Sequence, residues 1–153
     1  DCACENGLVV VTHAGYDISF PGGSQAVPEH ILAVLDTVKP DKLVLAHMGG
    51  WRCWDEVEQH LAGVPVWLDT SFTVTPIRPA ADTCRTPEEC RTLSPEQFCR
   101  TIRRHGADRV LFGSDSPWSD QKEAIELLME SEFTPEENAA ILGDNAKKLL
   151  DLP

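Results

Sequence analysis

Lys42-Leu43-Val44-Leu45-Ala46-His47-Met48-Gly49-Gly50 is an unbroken aliphatic run that ends on a histidine and two glycines. An apolar run without polar alternation is what a strand buried on both faces requires, and such strands belong to parallel sheets covered by helices. The pattern recurs upstream in Leu8-Val9-Val10-Val11-Thr12-His13-Ala14-Gly15. Downstream it returns in Arg109-Val110-Leu111-Phe112-Gly113-Ser114-Asp115-Ser116-Pro117-Trp118. In α/β folds built of such strands, catalytic residues sit where strands end and loops begin, at the carboxyl edge of the sheet. Two histidines and an aspartate at three such edges point to one site.

Helical signals separate these runs. Glu5-Asn6-Gly7 reads as a helix end capped by Gly7, because glycine accepts the left-handed conformation there. A strand at about 8–13 leads through a loop to Pro28, well placed in the first turn of a helix whose apolar face is Ile31, Leu32, Leu35 and Val38. The second strand, 42–46, is followed by a helix carrying Trp54, Val57 and Leu61, stopped at Gly63. A third strand is expected over Val64-Pro65-Val66-Trp67-Leu68-Asp69-Thr70-Ser71, with Pro65 tolerable only at its start. The polar segment 72–93 has the length of a binding loop or lid. Ser94-Pro95-Glu96-Gln97 and Thr134-Pro135-Glu136-Glu137 are capping boxes. The second opens a helix over about 135–142 that Gly143 should end, followed by a last short helix at about 145–151. Strand four is 109–112, and another helix lies at about 120–131. The strand and helix order implies a parallel sheet with crossover helices on one face and an apolar second face.

The chain has 153 residues and a net charge of −12, which argues against nucleic acid, since phosphate binding draws on clustered Lys and Arg. A membrane span would need roughly 20 consecutive apolar residues, and none is present. The first residues lack the basic and apolar regions of a signal peptide, so a cytoplasmic protein is expected. The six cysteines show no CxxC pairing and read as reduced and structural, although Cys84 and Cys90 are close enough in a polar loop to pair under oxidation.

Imidazole nitrogen and carboxylate oxygen are the usual ligands of catalytic Zn²⁺. An isolated histidine at a strand end can equally hydrogen-bond a loop carbonyl, and Asp115 alone could be a turn or helix-cap aspartate. The recurrence of the placement at His13, His47 and Asp115, with small residues after each histidine, favours a shared site. His30, His60 and His105 fall on expected helices away from strand ends and read as solvated or capping residues. Gly22-Gly23 and Gly49-Gly50 do not fit a phosphate cradle.

On these same segments, together with Leu68-Asp69-Thr70-Ser71 and Asn145-Ala146-Lys147-Lys148-Leu149-Leu150, the chain resembles the amidohydrolase-related metal-dependent hydrolases, a branch that includes zinc-dependent decarboxylases. The resemblance implies an α/β fold that is a partial TIM barrel. Residues 1–153 would form a single C-terminal half-barrel, with four parallel strands corresponding to strands five to eight and covering helices. It implies a divalent metal, Zn by preference, with His13 as the strand-five ligand and His47 as a second-metal ligand or a group polarising substrate. Asp115 would be the strand-eight aspartate that touches the metal and takes a proton from its water. Thr70, Ser71 and Trp118 would flank the substrate. The family's strand-one His-x-His pair has no counterpart here.

The function this implies is hydrolysis of a small-molecule amide, ester or lactone by a metal-activated water. The alternatives are decarboxylation by the same site, or a non-catalytic half-barrel that needs a partner. The 153 residues alone are expected to be inactive and to associate, either with a second copy or with the missing half.

Overall fold

The computed structural model describes residues 2–17, 20, 26–75 and 91–153. After a short helix α1 (Cys2–Glu5), the strands β1 (Val10–Thr12), β2 (Leu43–Leu45), β3 (Trp67–Asp69) and β4 (Val110–Leu111) form one sheet in sequential order. All neighbouring pairs are parallel, in the register Thr12 with Leu45, Leu45 with Leu68 and Leu68 with Val110. The crossovers are α2 (Pro28–Thr37), α3 (Trp54–Glu56) extended by a π-helical turn (Val57–Leu61), and α4 (Pro95–His105). Three more helices close the chain: α5 (Gln121–Glu130), α6 (Pro135–Ala139) and α7 (Asn145–Leu149). None is long and apolar enough to cross a membrane.

Local chemistry sets the helix starts. Pro28 opens α2 at a position whose N–H would have no helical partner. Ser94 accepts the Gln97 N–H at the start of α4, and Thr134 with Glu137 completes a reciprocal capping box at α6. Strand alternation then divides the sheet into two faces. Leu43, Leu45, Leu68 and Val110 pack against Ile31, Val57, Leu61, Phe98, Ile102 and Ile141 from the helices. On the other face Val44 and Trp67 pack against Leu149, with Val9 and Leu111 beside them.

Several expectations are corrected. β1 is not buried on both faces: Val11 is 64% exposed, because the layer that covers Val44 and Trp67 does not reach it. The second face is not left bare, since α7 covers its middle through Leu149. Gly143 does not end a helix. The backbone runs from Pro135 to Leu149 through a π-helical turn (Ala140–Asp144), in which Ile141 O accepts the Phe112 N–H beyond β4. Asn145 then donates to Ala107 O and Val110 O, both at 2.7 Å, and fastens the helix to the sheet.

His105 is not solvated. It is 1% exposed, donates from Nε2 to Val66 O at 3.0 Å and accepts the Gly63 N–H on Nδ1 at 3.3 Å. His30 and His60 are exposed as expected. Cys2, Cys4, Cys53 and Cys99 are free thiols. The pairing of Cys84 with Cys90, most of the segment 72–93 and the Gly22-Gly23 pair lie outside the described residues.

Candidate metal centre

His13 leaves β1 on the face that alternation gives to Val11, and register carries that face through Val44 and Trp67 to Asp69. His47 follows β2 in a tight turn (His47–Gly49). The two imidazoles meet edge to face, with His47 Nε2 3.1 Å from His13 Nδ1. Their remote nitrogens face acceptors: His13 Nε2 lies 2.9 Å from Tyr16 O, and His47 Nδ1 lies 3.1 Å from Ser71 O. A carbonyl oxygen only accepts, so both remote nitrogens carry hydrogen. In neutral rings the two nitrogens that face each other are therefore both lone pairs.

Lone pairs at that separation repel unless a cation lies between them. A proton is one candidate, but burial lowers the pKa of His47 and the neighbouring His13 adds to the effect, against the opposing pull of Ser71 O and the charges of Asp69 and Asp115. A metal is the other. Two nitrogens bound to one Zn²⁺ at about 2.0–2.1 Å stand roughly 3–3.4 Å apart. The histidine pair therefore fits as two donors of a metal site, each ring fixed from behind by a backbone carbonyl. Among the described residues no group of three or more His, Cys, Asp or Glu is arranged to enclose an ion.

The loops that carry the pair are locked together. Trp51 N–H donates to Ala14 O at 2.8 Å and Tyr16 N–H to Trp51 O at 3.0 Å. The approach is so close that a Cβ on Gly15, whose φ is +91°, would lie 2.2 Å from Trp51 N. The Phe72 ring packs on both His47 and Trp51, at 5.7 and 5.6 Å between centroids. Left-handed backbone at non-glycine residues is concentrated on this edge: His47, Met48, Arg52, Phe72 and Asp115 all have φ between 53° and 64°. Such conformations cost about 1–2 kcal/mol each and persist where the surroundings over-determine them, typically at functional sites.

Asp115 is exposed on the loop after β4, with its carbonyl accepting the Trp118 N–H, and its charge acts on His47. Trp118 is 47% exposed beside it. Thr70 and Ser71 are buried. The Thr70 hydroxyl is committed to Gly113, donating to its O at 3.1 Å and accepting from its N at 3.0 Å. Ser71 Oγ donates to Asp69 Oδ1 and lies 3.2 Å from His47 Nδ1. Sequence reasoning missed Asp69. Its signal was a carboxylate at the end of an apolar strand, the same signal that singled out Asp115.

A family model described as Amidohydrolase matches residues 1–152. The chain belongs to the amidohydrolase family. Its sheet is half of a TIM barrel, and solved amidohydrolase-type structures superpose on nearly all of it. One is an amidohydrolase from Burkholderia multivorans with bound zinc (TM-score 0.69, 19% identity, 99% of this chain and 55% of that one). Another is a dihydroxybenzoic acid decarboxylase from Polaromonas sp. JS666 with bound manganese and the inhibitor 2-nitroresorcinol (0.60, 16%, 97% and 51%). A third, from Pseudomonas putida, is described as a candidate 2-pyrone-4,6-dicarboxylic acid hydrolase (0.62, 21%, 96% and 53%). The chain spans about half the length of these amidohydrolase-type structures. Comparison with curated proteins returns no match.

Proposed function

We propose that this chain provides the His13–His47 part of a metal-dependent hydrolase that acts on a small-molecule amide, ester or lactone. The carrying observation is the pair of ring nitrogens 3.1 Å apart, each ring held from behind by a carbonyl acceptor. His13 and His47 would hold a divalent ion, with Zn²⁺ preferred for nitrogen donors, and Asp115 would complete the ligands this half supplies. When bound, such an ion supplies Lewis acidity at a carbonyl and makes water acidic near neutral pH. The residues of the chain do the rest. Asp115 accepts a proton at its exposed carboxylate, and Trp118 with the buried Thr70 and Ser71 shapes the pocket wall.

In this reading residues 1–153 are strands five to eight of a C-terminal half-barrel, and further ligands come from a second half that covers the exposed β1 edge. A cytoplasmic location accords with the free thiols of the four described cysteines. Decarboxylation is the second reading, favoured by the superposition on a dihydroxybenzoic acid decarboxylase. Turnover of a panel of lactones, amides, esters and aromatic carboxylates by the full-length protein separates the two. Hydrolysis without release of carbon dioxide, lost in His13→Asn, supports the first, and carbon dioxide release supports the second. No metal-dependent turnover on any class would overturn both.

A further inference from the structure

We infer that Asp69 is the positioning residue of the His13–His47 pair, acting through Ser71 to set the tautomer and orientation of His47. The inference deepens the functional reading above and rests on it. Asp69 is the last residue of β3, and its Oδ1 accepts three hydrogen bonds: from His47 N–H at 3.0 Å, from Ser71 N–H at 3.0 Å and from Ser71 Oγ at 2.5 Å. The first of these crosses from β3 to the turn after β2. It reaches the backbone of a residue held at φ 58°, followed by Met48 at φ 53°, so it stabilises a turn that its own residues disfavour.

The other two bonds fix Ser71. Because Ser71 Oγ donates to Asp69, only its lone pairs remain for His47 Nδ1, 3.2 Å away. Ser71 O, at 3.1 Å, is also an acceptor. Both atoms in front of Nδ1 therefore demand a hydrogen on it, which leaves Nε2 bare and aimed at His13. With Asp69 removed, the Ser71 hydroxyl is free to turn its hydrogen toward Nδ1, and the competing tautomer, with hydrogen on Nε2, becomes accessible. That tautomer cannot bind a cation through Nε2.

The opposing strand leaves space for the arrangement. A Cβ on Gly113 would meet Ser71 Cβ at 3.1 Å and Asp69 Cγ at 3.4 Å, and the paired Thr70–Gly113 hydrogen bonds hold that glycine in place.

The test uses full-length protein and two readouts. In metal-free protein at pH 8, nitrogen-15 NMR of the His47 ring should show hydrogen on Nδ1 in the wild type. In Asp69→Ala it should show a mixture or hydrogen on Nε2. Zinc affinity, measured by chelator competition, should fall about 10–100-fold in Asp69→Ala, as for other groups that orient a ligand histidine. Asp69→Asn, which keeps an acceptor oxygen, should recover at least part of that loss. Asn145→Ala, which removes only the anchor to Ala107 O and Val110 O, is the control for structure alone: it should lower the melting temperature without moving the tautomer. Should Asp69→Ala fail to fold, Ser71→Ala carries the test, with zinc affinity lowered by about tenfold. Hydrogen retained on Nδ1 with zinc affinity within threefold of wild type in Asp69→Ala, or zinc affinity within threefold in Ser71→Ala where Asp69→Ala does not fold, would overturn the proposal. If the wild type binds no zinc, the functional reading fails while the tautomer still judges Asp69.

Discussion

His105 should make stability fall as the solution is acidified, by an amount readable from its surroundings. The imidazole is held as one neutral tautomer, with Nε2–H bonded to Val66 O and bare Nδ1 accepting the Gly63 N–H. Burial first, and the charge of Arg109 second, push its pKa down to about 4 from 6.5. The unfolded chain takes up the proton near 6.5 and the folded chain only near 4, so between those values the unfolded state binds more protons and stability declines with pH. At 1.36 kcal/mol per unit the loss approaches roughly 3 kcal/mol by pH 4, and it is absent above pH 7. Urea unfolding of wild type and His105→Gln from pH 8 to pH 4 measures it. The glutamine amide does not titrate. His47, whose pKa is also lowered, contributes to both proteins and cancels in the difference. Parallel stability curves for the two proteins would refute the reasoning.

Gly15→Ala should destabilise by at least about 3 kcal/mol, because the new Cβ would collide with the Trp51 backbone and φ is +91°; a melting curve close to wild type would contradict this. Asn145→Ala leaves Ala107 O and Val110 O without their side-chain donor and should cost about 2–4 kcal/mol in chemical unfolding. The 153-residue chain expressed alone should sediment as a dimer or larger, since Leu8, Val10 and Val11 are exposed on the open β1 edge. A stable monomer at micromolar concentration would remove that expectation.

The sheet was legible because apolar runs without alternation report burial between layers, and the β-α order then fixes parallel pairing. What a run cannot report is whether its covering layer is present, which is why Val10 and Val11 are exposed here despite an interior-like sequence. Gly143 was misleading for a related reason. The continuity of its helix is decided by tertiary partners, with Ile141 O taken by Phe112 N–H and Asn145 anchored to β4, and a local stop signal carries no information about them. His105 looked like a solvated residue near the end of a basic helix, yet two backbone groups from distant parts of the chain receive it. Of the candidate site, His13 and His47 were visible as strand-end histidines, and the structure brings them together. Asp69 was not visible as their organiser, since its bond to His47 spans 22 positions and depends on the β2–β3 register.

If His13 and His47 hold a cation between facing lone pairs, metal content after exhaustive dialysis shows it. Full-length wild-type protein loaded with Zn²⁺ should retain about one equivalent by elemental analysis, in line with a catalytic site of three or more protein ligands. His13→Gln and His47→Gln should each lose more than half of it while keeping a cooperative melt. Equal retention by all three proteins, or none by the wild type, would mean that this histidine pair holds no metal.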